Sequence, residues 1–203
     1  PVAPDLKSVN DLPKYWELFK DREVPDKGRF HNSPPGWSVT DINAVKIKTY
    51  GLDKKFNVFS TGSDAALAAS MVSAYDKGEP WLGYYWEPTW IMGKLDMTML
   101  EEPPYDQETY EDESNRGCAF PAAKVYIAVN SEMEQKAPDV VGFLQKYSTT
   151  LEQNNNVLAY MNDKKATAED AALYFLKTYS DEWKSWLPED VAAKVDKALK
   201  EVE

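Results

Sequence analysis

The chain has 203 residues, with 34 acidic against 23 basic side chains and a formal charge of −11. That length supports one large domain or two small ones, while the charge has the wrong sign for gripping phosphate backbones and excludes nucleic acid as a partner. No apolar run approaches the roughly 18 residues of a membrane helix, and the lone cysteine, Cys118, excludes an internal disulfide or a cysteine-rich metal site.

The chain opens on PVAPDLKSVN, without a starting Met or a signal-peptide pattern, as expected of a processed product or an excised piece. Ser8 to Phe19 reads as a short helix, with Leu12, Trp16 and Phe19 at helical spacing. A turn-rich passage follows, with a short strand expected over Gly28 to His31. Ser38 is expected to cap a helix reaching Tyr50, with Asp41 three residues on and Gly51 as the stop. NVFS, residues 57–60, reads as a strand, and Ser63 to Lys77 as an alanine-rich helix closed by Gly78.

PWLGYYW (80–86) and DMTMLEE (96–102) read as two more strands, so strands alternate with helices in an α/β lobe. The acidic stretch 101–117 carries two prolines and few aliphatic residues and reads as loop. AKVYIAVN (123–130) is the strongest strand pattern in the chain. Beyond it the pattern is helical: Thr167 caps AEDAALYFLKTY, and Val191, Val195 and Leu199 form a stripe at i, i+4, i+8. The organisation changes near residue 116, from the α/β lobe to a strand followed by helices.

Catalytic chemistry is weakly represented. His31 is the only histidine and sits in polar surroundings, so a structural role is favoured over catalysis and no second histidine can complete a metal cluster. No nucleophile elbow, phosphate loop or zinc signature occurs. Glu101 and Glu102 are neighbouring carboxylates in an acidic loop, which are usually just solvated. Cys118 lacks a basic partner nearby in sequence. An enzyme is disfavoured and no cofactor is implied.

What stands out is the ring density of GEPWLGYYWEPTW, where Trp81, Tyr84, Tyr85, Trp86 and Trp90 lie between Gly78 and Trp90. Upstream, SPPGWSVTD sets Trp37 immediately before a helix start. In α/β lobes, ligands gather at the carboxyl ends of strands near helix N-termini, and both stretches fall at such positions. A quaternary ammonium cannot donate a hydrogen bond and is held by ring faces instead. A carboxylate on the same ligand would suit the free amides of Ser38 and Val39.

APDLKSVNDLPKYWELFKD, PPGWSVTDINAVKIKTYGL, GEPWLGYYWEPTWIMGKLDMTMLEEP and GCAFPAAKVYIAVN together resemble the substrate-binding proteins of glycine betaine, proline betaine and choline ABC importers. The resemblance runs in order over nearly the whole chain. It implies the type II periplasmic-binding-protein fold, with two α/β lobes closing on ligand about a hinge. It implies further that Trp37 and Trp86 are cage walls, that Ser38 and Val39 contact the carboxylate, and that Tyr85 and Trp90 are secondary candidates beside or beneath the site. Some relatives carry cysteines flanking the PGW turn, where Ser33 and Val39 stand here.

Such proteins normally begin with roughly a hundred further residues, half a two-lobed protein of ordinary domain size, which supply another cage aromatic. On this reading residues 1–116 are the complete second lobe, and residues 117–203 are the returning strand and helices of the first. The resemblance also implies a permease and its ATPase as partners, a location outside the cytoplasmic membrane, in the periplasm or membrane-associated, and weak binding by this piece alone. The orphaned C-terminal strand and helices are a candidate for dimerisation. A sensor module on the same scaffold and a carbohydrate-binding module are the alternatives.

Overall fold

A parallel strand pair organises the first part of the chain in the computed structural model, which describes residues 3–202. Strand β1 (Gly28–Asn32) pairs in register with β2 (Phe56–Ser60), Gly28 opposite Phe56 and Asn32 opposite Ser60. Parallel neighbours need a crossover, and helix α1 (Ser38–Thr49) supplies it. Gly51, at φ 66°, ends that helix in the left-handed region that a glycine adopts without penalty. Helix α2 (Asp64–Asp76) starts where Ser63 accepts the Ala66 amide at 3.1 Å.

Two compact units emerge. The first comprises residues 1–86 and 97–122, the second residues 87–96 and 123–203. In the first unit Leu12, Ile47, Leu52 and Phe56 form the buried centre, packed by Val9, Trp16, Phe19, Phe30, Val58 and Leu82 among others. Gly28 is required there, because a Cβ would meet the Phe56 ring at 2.6 Å and the Trp16 carbonyl at 2.9 Å. Asp21 is fully buried, held by Arg29 through Nε (3.0 Å) and Nη2 (2.7 Å). Helix α3 (Gln107–Glu111) lies in the acidic passage.

The second unit is helical apart from residues 87–96 and 123–130: α4 (Met133–Lys136), α5 (Pro138–Lys146), α6 (Leu151–Lys164), α7 (Ala168–Thr178), α8 (Ser180–Trp186) and α9 (Glu189–Glu201). Thr150 with Gln153, and Thr167 with Asp170, close reciprocal capping boxes on α6 and α7. Trp183, Trp186 and Ala192 are its buried centre, packed by Phe143, Phe175, Leu176, Val195 and Leu199. Segment 87–96 is fastened to α6: the Thr89 amide donates to Asn155 Oδ1 at 2.8 Å, Asn155 Nδ2 donates to Glu87 at 2.8 Å, and Lys94 pairs with Asp163 at 2.7 Å.

Several local expectations change. Ser8 to Phe19 is not one helix but two 3-10 turns, Val9–Lys14 and Trp16–Phe19. Pro13 lacks the amide that an α-helix interior would use. The aromatic segment 80–86 contributes one bridge, Gly83 beside His31, rather than a strand, and 96–102 one bridge, Glu101 beside Ser8. The 123–130 segment joins no sheet, and every residue from 121 to 130 is exposed.

His31 lies in β1, as the expected strand placed it, but its surroundings are aromatic rather than polar. Its ring stacks on Trp81 at 5.3 Å and 15°, meets Phe59 edge-on, and Nδ1 donates to the Leu82 carbonyl at 3.1 Å. Burial, opposed by that hydrogen bond, lowers its pKa below the usual histidine value. The unfolded chain therefore takes up a proton near pH ~6.5 that the folded ring resists. Stability of the first unit is expected to fall as pH drops from that value toward the lower folded pKa. Urea unfolding between pH 7.5 and 5.5 checks this, and His31→Gln should flatten the slope.

Candidate functional site

The entry to α1 is set by a buried polar group just before it. Asn32 Nδ2 donates to the Thr40 carbonyl at 3.0 Å, Asn43 Nδ2 donates to Asn32 Oδ1 at 2.9 Å, and the Thr40 hydroxyl donates to the Pro34 carbonyl at 2.6 Å. Asn32, Ser33 and Asn43 are all buried. With Gly36 at φ 92°, this pins the Pro34–Gly36 turn and starts the helix one residue earlier than expected. Trp37, not Ser38, is the N-cap, and it offers no side-chain cap. The expected Ser38–Asp41 box does not form. Thr40 N–H turns back to the Trp37 carbonyl at 3.0 Å, while the Ser38 and Val39 amides occupy the first two helical positions, which have no intrahelical acceptor.

Beside this helix start stands a ring cluster within the first unit. Trp37, 37% exposed, meets Trp86 at a centroid distance of 5.3 Å and an angle of 65°. The two indoles therefore form adjacent walls of a corner. Tyr85 stacks on Trp86 at 4.5 Å and 25°, and Tyr84 lies nearly parallel to it at 6.2 Å. Burial raises both tyrosine pKa values, so the phenols stay neutral donors. Trp81 sits apart against His31, with its indole N–H donating to Ser70 at 3.0 Å.

The cluster continues through residues that sequence spacing did not single out. Tyr84 reaches Phe120 at 6.1 Å, and Phe120 meets Tyr110 edge-on at 5.9 Å. Behind Phe120 lies a buried cation: Lys46 Nζ is 4.0 Å from that ring's centroid and 2.6 Å from Glu102 Oε2, an ion-pair contact outside hydrogen-bond geometry. Tyr50 donates to the same carboxylate at 2.7 Å, and burial together with that bond raises its phenol far above the ordinary range. Glu102 is thus the half-buried partner of a buried lysine rather than a solvated loop carboxylate. Tyr84 could have been found from its position two residues before Trp86, on the same side of an extended segment. Phe120 and Lys46 carry no such local signal.

Of the six residues singled out in sequence, Trp37, Ser38, Val39, Tyr85 and Trp86 fall in the first unit, with the two indoles and Tyr85 in direct ring contact. Trp90 belongs to the second unit, half-buried in the turn of segment 87–96. Among the described residues no group of three His, Cys, Asp or Glu side chains is gathered to hold a metal.

Residues 2–178 match the family described as the substrate binding domain of ABC-type glycine betaine transport systems. Among curated relatives, a trimethylamine N-oxide-binding protein of Pelagibacter ubique is 26% identical, and a glycine betaine/proline betaine-binding periplasmic protein of Escherichia coli is 25% identical. Each alignment covers 90% of this chain but only 58% of the relative. In solved structures, a lactococcal protein complexed with glycine betaine superposes with a TM-score of 0.53 at 17% identity, covering 93% of this chain and 65% of that one. A glycine betaine, L-proline-binding protein from Borrelia burgdorferi gives 0.52 at 16%, covering 95% and 65%. These likenesses show the type II periplasmic-binding-protein fold over part of its length.

Proposed function

We infer, since this chain belongs to the family of substrate-binding domains of ABC-type glycine betaine transport systems, that its first unit carries one side of a site for a quaternary-ammonium solute such as glycine betaine, proline betaine or choline. The observation that supports this reading is the Trp37–Trp86 corner beside the uncapped start of α1. A methylated nitrogen in that corner would meet two ring faces, each contributing about 0.5–2 kcal/mol. A carboxylate would take the Ser38 and Val39 amides, aided by the helix dipole. Tyr85, stacked on Trp86, braces it from behind.

In this reading residues 1–116 are one α/β lobe of a two-lobed binding protein and residues 117–203 a returning strand and helices of the other. The whole protein would deliver its solute outside the cytoplasmic membrane to a permease driven by its ATPase. One lobe desolvates only half of the ligand, so this chain alone is expected to bind no tighter than about 1 mM.

Tryptophan fluorescence titration with glycine betaine and with choline tests the site. Trp37→Ala and Trp86→Ala should each weaken both ligands by about 2- to 30-fold. Ser38→Pro is the sharper probe, because proline is tolerated at the first helical position yet removes an amide. It should weaken glycine betaine and spare choline. Low-micromolar binding by the chain alone would contradict the one-sided site, and Trp37→Ala leaving affinity untouched would remove Trp37 from it.

A further inference from the structure

Burying an ammonium is unfavourable unless it is paired, and Lys46 is 4% exposed. Among the described residues its Nζ has no hydrogen-bond partner. Two groups hold it: the Glu102 carboxylate at 2.6 Å and the face of Phe120, 4.0 Å to the ring centroid. A buried ion pair is often no more stabilising than apolar side chains of the same volume. What this one adds is a fixed arrangement of the groups around it. Tyr50, one helical turn after Lys46, donates to the same Glu102 oxygen at 2.7 Å, so two side chains of the α1 end grip one carboxylate. Glu102 and Phe120 stay side by side because the Ala119 amide donates to the Pro103 carbonyl at 2.8 Å.

From Phe120 the ring contacts run on, centroid to centroid, to Tyr84 at 6.1 Å, from Tyr84 to Trp86 at 6.2 Å, and from Trp86 to Trp37 at 5.3 Å. Trp37 is the N-cap of α1. The path therefore ends on the helix where it began, about 14 Å from Lys46 along the axis. Every link of this closed circuit lies within the first unit.

We propose that Lys46 is a positioning residue for the solute site: its buried ammonium, pinned by Glu102, seats Phe120, and Phe120 acts through Tyr84 to set the angle at which Trp86 meets Trp37. The inference rests on the reading of that corner as the cation site. Neighbouring rings favour offset or edge-on geometries, which lets one seated ring orient the next. Cation–π attraction needs a ring face turned toward the cation. Rotating one wall therefore weakens any methylated ammonium held there, although Lys46 touches none.

Tryptophan fluorescence titrations of the 203-residue chain with glycine betaine and with choline test this, alongside near-UV circular dichroism of the unliganded chain and far-UV dichroism as the fold control. Lys46→Met keeps an unbranched side chain and drops the charge, whereas Phe120→Leu keeps the ion pair and drops the ring. Each should weaken both ligands about 3- to 10-fold. The two together should weaken them no more than either alone, because both break the same link. The near-UV difference between the chain and its Trp37→Phe variant reports the indole pair, and Lys46→Met should shrink it. Should Lys46→Met lose its far-UV signal, Phe120→Leu decides both readouts. Trp37→Ala separates the two failures. Affinity untouched by Trp37→Ala overturns the corner as the site. Affinity lowered by it but not by Lys46→Met or Phe120→Leu overturns the role of Lys46 alone. Losses that multiply in the double variant, or an indole-pair signal that Lys46→Met leaves unchanged, overturn that role equally.

Discussion

Alanine at Asp21 is expected to lower the stability of the first unit by about 3–5 kcal/mol, the usual loss when one member of a buried charge pair is removed. The carboxylate is 2% exposed and accepts five hydrogen bonds: two from the Arg29 fork, one from Asn57 at 2.9 Å, and the amides of Glu23 at 2.7 Å and Val24 at 3.3 Å. Arg29 is itself mostly covered, lying 4.2 Å over Phe59, and would be left without its main partner. The Arg29 guanidinium holds the Asp21 carboxyl well below the usual carboxylate range. Its stabilisation is therefore fully present above about pH 4 and is lost as pH falls from there toward the lower folded value. Urea unfolding at pH 7 and at pH 3 checks both points: the wild-type and Asp21→Ala curves should be far apart at pH 7 and closer together at pH 3, where the loss has begun. A difference below about 1 kcal/mol at pH 7 would mean the pair behaves as an exposed one.

Trp183→Ala should have an effect of similar size on the second unit, about 3–5 kcal/mol for deleting a buried large aromatic. The side chain is 2% exposed and its indole N–H donates to the Leu176 carbonyl at 2.7 Å, fastening α8 to α7. Trp186, Phe175 and Val195 cannot close over so large a void without leaving their rotamers. Trp183→Phe keeps most of the volume and drops only the hydrogen bond, so a loss nearer 1–3 kcal/mol is expected. Amide exchange read on peptides from α7 to α9 distinguishes the two variants, since protection there should fall far more with alanine.

Much of this architecture was readable because its signals are local. Gly51 and Gly78 mark helix ends through positive φ, and Ser63 and Thr167 mark starts through their side-chain oxygens. Where the deciding contact is distant in sequence, the reading failed. Ser38 looked like a cap because its spacing to Asp41 fits a box, yet the helix start is fixed by Asn32 and Pro34, which locate Trp37 at the cap instead. The aromatic stretch looked like a buried strand, whereas Pro80 and Pro88 limit its pairing and leave a single bridge at Gly83. The candidate site divides the same way. Trp37 and Trp86 could be picked from composition and position, but Phe120 comes from a segment 34 residues beyond Trp86 (120 − 86) and Lys46 from the far end of α1. No periodicity could have joined them.

The fastening of residues 87–96 to α6 has a practical corollary for dissecting the protein. The polypeptide crosses between its two units at 86–87, at 96–97 and at 122–123, so no single scission separates them. Ending the gene after Ala122 would strand Ile91 and Leu95, both buried, and orphan the Thr89 amide and the Glu87 carboxylate. Excising the helices as one contiguous piece would deprive Asn155 of both its partners. Independent expression of either unit calls for rejoined ends or a permuted gene, and a protease nick within 97–122 should leave the two fragments associated under native conditions.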